Sequence, residues 1–101
     1  MIAVYVSIGN SDDKLPQRHW ARYVADVRRI LNRAAVEVHG EWFSAPDATW
    51  QNACWCIVLL EDQQVINAVQ AELRSTADAH LQESVAWAVA TVQFLTTPRA
   101  R

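Results

Sequence analysis

The residues best suited to chemistry in this sequence fall in two short polar stretches and one isolated histidine. The first stretch is Gly9-Asn10-Ser11-Asp12-Asp13. Its backbone N–H groups and the Ser11 hydroxyl could hold an anionic or sugar group near the start of a helix. The same residue types also serve a turn through their own local hydrogen bonds. The paired carboxylates of Asp12 and Asp13 oppose a phosphate unless a metal mediates. The second stretch runs from Trp42 to Asn52 and carries Asp47, Trp50, Gln51 and Asn52. A turn does not require tryptophan. Trp50 could stack on a planar ligand while Gln51 and Asn52 read its hydrogen-bonding edges, or it could cap the interior at the end of a sheet. His80 lies in a third polar segment, Asp78 to Ser84.

Other chemistries find less support. Asp12, Asp13 and Asp47 are hard oxygen donors, but their spacing matches no calcium loop. His39, Cys54, Cys56 and His80 lack the spacing of a structural zinc site. No phosphate-binding glycine loop, nucleophile elbow or metalloprotease motif is present. The sequence therefore implies no cofactor and leans away from an enzyme. A small enzyme using Asp12 or Asp13 as general base and His80 as acid is the alternative. Cys54 and Cys56 would share one face of a strand with Cα atoms roughly 6.5–7 Å apart, at or beyond disulfide reach. Reduced cysteines fit a cytoplasmic protein.

Bulk composition narrows the partners. A net charge of −2 gives no general attraction to nucleic acid or to an anionic membrane. The N-terminal residues have the pattern of a strand rather than of a signal peptide, and no apolar run approaches the length of a membrane span. Five tryptophans in 101 residues exceed what a small core needs, so some are expected at a ligand or partner surface.

The elements that must position these residues follow from periodicity. Ile2, Val4, Val6 and Ile8 alternate with Ala3, Tyr5 and Ser7, which predicts a strand with one apolar face. Pro16 suits the first position of a helix. Trp20, Tyr23, Val24, Val27, Ile30, Leu31 and Ala34 then follow at helical spacing. Val36 to Phe43 reads as a half-polar edge strand, with Val36, Val38 and Trp42 on one side. Asn52 to Leu60 is apolar on both faces, as a central strand is. Glu61-Asp62 opens a second helix whose stripe is Val65, Ile66, Val69, Leu73 and Ala77. Ser84 to Ala90 is predicted as a strand on its β-branched and aromatic content, the alternative being a helix that extends through Leu95. The expected organisation is one α+β domain over residues 1–96 with a loose tail at 97–101.

The order β-α-β-β-α-β predicts a ferredoxin-like fold, a four-stranded antiparallel sheet with two helices on one face. The other face would be open. Tyr5, Trp55 and Trp87 are expected there, as the interface of a homodimer. Tyr5 and Trp55 on central strands are similar in topology to the stacking platform of RNA-recognition sheets. The basic, glycine-containing motif of those sheets is missing, so nucleic acid is not the expected partner. Three connections should meet at one end of the sheet: Gly9–Asp13, Ser44–Asn52 and Asp78–Ser84. They would gather Asn10, Ser11, Asp12, Asp13, Trp42, Asp47, Trp50, Gln51, Asn52, His80 and Glu83 into one surface. The expected function is a small, non-enzymatic, homodimeric binding module with a polar or planar small ligand at that end. A protein-interaction subunit using Trp-rich surface is the main alternative.

Overall fold

A computed structural model describes residues 1–45, 47–90, 93 and 95–100 of the chain. The strands are β1 (Ile2–Gly9), β2 (Glu37–Phe43), β3 (Asn52–Leu59) and β4 (Ala86–Ala90), and the helices are α1 (Gln17–Ala34) and α2 (Gln63–Ala79). They alternate as β-α-β-β-α-β, and the sheet order is β2-β3-β1-β4 with every neighbouring pair antiparallel. This is the ferredoxin-like arrangement. β1 and β3 occupy the centre, each paired with a strand along both edges. β2 and β4 take the edges.

The helix-facing side of the sheet holds Val4, Val6 and Ile8 from β1 and Ala53, Trp55, Ile57 and Leu59 from β3, all buried. Trp20, Tyr23, Val24, Val27, Ile30 and Leu31 of α1 close over them, together with Val69, Leu73 and Ala77 of α2. Both helical stripes are those that the 3.6-residue period marks in the sequence. The boundaries have local causes. Pro16 stands one residue before α1 rather than inside it, and its carbonyl accepts from His19 and Trp20. Asp62 caps α2, its carboxylate accepting from the N–H groups of Gln64 and Val65. At the other end of α2, Leu81 takes a left-handed conformation (φ 62°), and the Gln82 N–H closes onto the Ala77 carbonyl.

Two of the expected interface aromatics are misplaced by the sequence reading. Trp55 pairs with Val6 on the helix-facing side and is 1% exposed. Trp87 pairs with Val6 from the other edge and packs half-buried against the core. Neither lies on the open face. The alternation of β3 explains why: Asn52, Cys54, Cys56 and Val58 point one way, and Ala53, Trp55, Ile57 and Leu59 the other. An apolar run on both faces carries no register of its own.

β2 departs from simple alternation for a different reason. A bulge between Val38 and Gly40 inserts one extra residue. Beyond it every side chain changes face. Val38, Glu41 and Phe43 share the helix-facing side, while Gly40 and Trp42 lie on the open one. The expected grouping of Val38 with Trp42 is therefore incorrect.

The last segment resolves as strand over Ala86–Ala90, with Pro98–Ala100 forming a single 3-10 turn. Thr91, Val92 and Phe94, over which the alternative helix would have run, and Arg101 at the end of the tail lie outside the described residues. No helix among the described residues is long and apolar enough to cross a membrane.

Candidate functional site

The three polar connections meet at one end of the sheet and are joined by hydrogen bonds. The Asn10 N–H donates to the Gln51 carbonyl at 2.9 Å, tying the first connection to the β2–β3 hairpin. The Ser11 N–H donates to Gln82 Oε1 at 2.9 Å, tying it to the segment after α2. The hairpin is closed in turn by Ser44, whose N–H and Oγ both engage the Asn52 backbone.

Asn10 is the centre of this arrangement and is fully buried. Its Oδ1 accepts from the Leu15 N–H at 2.9 Å, and its Nδ2 donates to the Leu15 carbonyl at 2.8 Å and to Gln51 Oε1 at 3.0 Å. A buried amide with both ends satisfied is a strut. It holds open the turn in which Asp12 and Asp13 both adopt positive φ (54° and 53°).

Trp50 stands on the other side of the same turn. Its indole Nε1–H donates to the Asn10 carbonyl at 3.2 Å. Its ring lies against Gly9, so that a Cβ at position 9 would come within 2.2 Å of the benzene edge of the indole. Glycine is required there by close approach. One side of the ring is thus seated on backbone, and the residue remains 54% exposed. A pocket of about 360 Å³ opens beside it on the open face of the sheet, lined by Ser7, Gly9, Ser11, Trp50, Asn52 and Ser84. An indole held on one side, with hydroxyl and amide groups around it, can stack on a flat molecule and hydrogen-bond its edges.

The sequence-predicted residues thus divide. Ser11, Trp50 and Asn52 share this pocket, which also takes in Ser7 and Ser84. Asp13 and Gln51 line a separate shallow groove against Lys14, Gln17 and Thr49. Asp12 and Asp47 are exposed and line neither. Trp42 does not lean toward the turn. Its ring folds back over Gly40 on the open face, where a Cβ would come within 3.1 Å of it. His80 faces the helices: its Nε2 lies 2.8 Å from Asp26 Oδ2 on α1, and its ring stacks on Tyr23 at 4.9 Å. It is remote in direction from the Trp50 pocket. Ser7 could have been found from the sequence, because it shares the period-2 face of Tyr5 and Gly9. Ser84 carried no such signal.

Among the described residues no group of three or more His, Cys, Asp or Glu could hold a metal ion.

No family model matches the chain, and no curated protein matches it. Its likeness is to solved structures. A dimeric ferredoxin-like protein of unknown function from Thermobifida fusca superposes with a TM-score of 0.55 at 12% identity, over 90% of this chain and 92% of that one. The likeness shows a shared fold. A chain from Burkholderia cenocepacia, provisionally assigned as an amidohydrolase/peptidase, matches at 14% identity with a TM-score of 0.32, over 91% of this chain and 27% of that one. That level of likeness carries no argument.

The open face around the pocket is built from small side chains and two large ones. Ala86, Ala88 and Ala90 of β4 and Ala3 of β1 leave it flat. Tyr5 (44% exposed) and Trp42 (55% exposed) rise from it. The neighbouring Cys56 side chain pushes the Tyr5 phenol pKa up.

Proposed function

We propose that this protein is a small homodimeric binding module, and that the pocket at Trp50 takes a small planar molecule with hydrogen-bonding edges. The observation that carries the reading is the Trp50 ring, seated on Gly9 yet more than half exposed beside the hydroxyls of Ser7, Ser11 and Ser84 and the amide of Asn52. Burying it in the core would have explained it as packing. Instead it lies on the side of the sheet away from the helices. The pocket carries no carboxylate and no perturbed acid–base pair, which favours binding over catalysis.

The dimer is proposed through the open sheet face. Tyr5 and Trp42 on a floor of alanines form an apolar surface of the kind that monomers rarely leave uncovered. A face-to-face pair related by a two-fold axis would bury it and would bring a second sheet alongside each Trp50 pocket. The dimeric state of the Thermobifida fusca protein is compatible with this arrangement.

A thermal-shift screen with purine, pyrimidine, pyridine and pteridine compounds tests the ligand reading. At least one compound is expected to raise the melting temperature, and Trp50→Ala and Asn52→Ala should each abolish that rise. A panel with no stabilising compound, or equal shifts in both variants, would overturn it.

A further inference from the structure

A second concavity lies on the opposite side of the sheet. α2 packs chiefly on α1 and leaves a cleft between itself and the edge strand β4. The cleft has a volume of about 270 Å³. At roughly 30 Å³ per water-sized group, it holds a molecule of about nine heavy atoms. Its floor is apolar: Leu73 of α2 is buried there, and Val85 and Trp87 are half-buried.

The rim of this cleft carries one charge of each sign. Arg74 contributes a guanidinium that forms no ion pair among the described residues. Glu83 contributes a carboxylate that is 81% exposed and only loosely paired, with Lys14 Nζ 3.9 Å away. A guanidinium fork matches a carboxylate, and a carboxylate matches an ammonium group. An apolar floor below both matches a hydrocarbon side chain. We infer that this cleft is a binding site for a zwitterionic α-amino acid with an apolar side chain.

The two sites touch only at Ser84, which lines both; Trp87 of this cleft and the Trp50 ring lie on opposite sides of the sheet. Calorimetric titration of the full chain with L-leucine tests it. Binding is expected with Kd about 1 mM or tighter. Affinity should fall about tenfold or more in Arg74→Met and in Glu83→Gln, two variants at exposed positions that leave the core intact. 4-Methylpentanoate, which lacks the amine, and 3-methylbutylamine, which lacks the carboxylate, should each bind at least about tenfold more weakly than L-leucine. Trp50→Ala should bind L-leucine as the parent does. No heat of binding with L-leucine would overturn the inference. So would equal affinity for either analogue or for both charge variants. Loss of L-leucine binding in Trp50→Ala would place the ligand in the other pocket and overturn it as well.

Discussion

At the scale of single residues, two buried aromatics decide what the core tolerates. Trp55 needs a partner for its indole N–H, and Glu41 Oε2 supplies it at 2.8 Å. Arg28 Nε donates to the same oxygen at 3.0 Å and lies over the Phe43 ring at 5.4 Å. Phe43 packs edge-on against Trp55. The Arg28 hydrogen bond, reinforced by that of Trp55, holds the Glu41 carboxyl below its usual range, although partial burial opposes the shift. Glu41→Ala should cost about 1–3 kcal/mol, because a buried donor loses its acceptor. Arg28→Ala removes a largely exposed pair and should cost no more than about 1 kcal/mol. Glu41 has a lowered folded pKa, so its contribution is present above the ordinary carboxylate range and is lost as the pH falls through the folded value. Urea titrations at pH 7 and pH 3 should therefore show the Glu41→Ala deficit shrinking in acid.

Tyr23 is the opposite case. Its hydroxyl is buried with no hydrogen-bond partner, and burial pushes its pKa from 10 to about 12. Tyr23→Phe keeps the ring that stacks on His80 and removes an unsatisfied group. Its melting temperature should rise, by an amount corresponding to up to about 1 kcal/mol. A raised folded pKa means stability that is intact below pH 10 and falls as the pH rises toward 12. The variant should lose less stability than the parent over that interval. Neither cluster was legible in the sequence. Glu41 and Trp55 are 14 positions apart, and only the β2 bulge turns both to the same face.

At the scale of elements, both helices and the polarity of each strand were legible because hydrophobic periodicity encodes them directly. The apolar face of β1 and the stripe of α1 appear as the sequence spells them. Register was not legible. β3 is apolar on both faces, so its alternation could be assigned either way, and Trp55 was assigned to the wrong one. The bulge at His39 and Gly40 had no signal beyond one glycine. The connections repay separate testing. Asn10 spends its whole side chain on holding the β1–α1 turn against the hairpin. Asn10→Ala should destabilise the protein by about 1–3 kcal/mol in chemical denaturation. A variant as stable as the parent would show that the turn does not depend on this strut.

At the scale of the whole molecule, the topology made the meeting of three polar connections predictable, and the structure places them together. What order alone could not give was which side of the sheet the site would use. That depends on Trp50 folding over Gly9 toward the open face rather than over the core. The same face is the proposed dimer surface. Ala88 sits on that face in the edge strand β4, beside Tyr5, and Ala88→Arg should convert a sedimenting dimer into a monomer with an unchanged far-UV spectrum. The central claim is that Trp50 forms one wall of a ligand site. It is tested most directly by following the indole N–H and backbone amide resonances of the ¹⁵N-labelled protein while a stabilising heterocycle from the thermal-shift panel is added. The account predicts saturable shifts in the Trp50 indole and in the amides of Ser7, Gly9 and Asn52, with the buried Trp20 indole unmoved. Shifts confined to other residues, or none at saturating ligand, would contradict it.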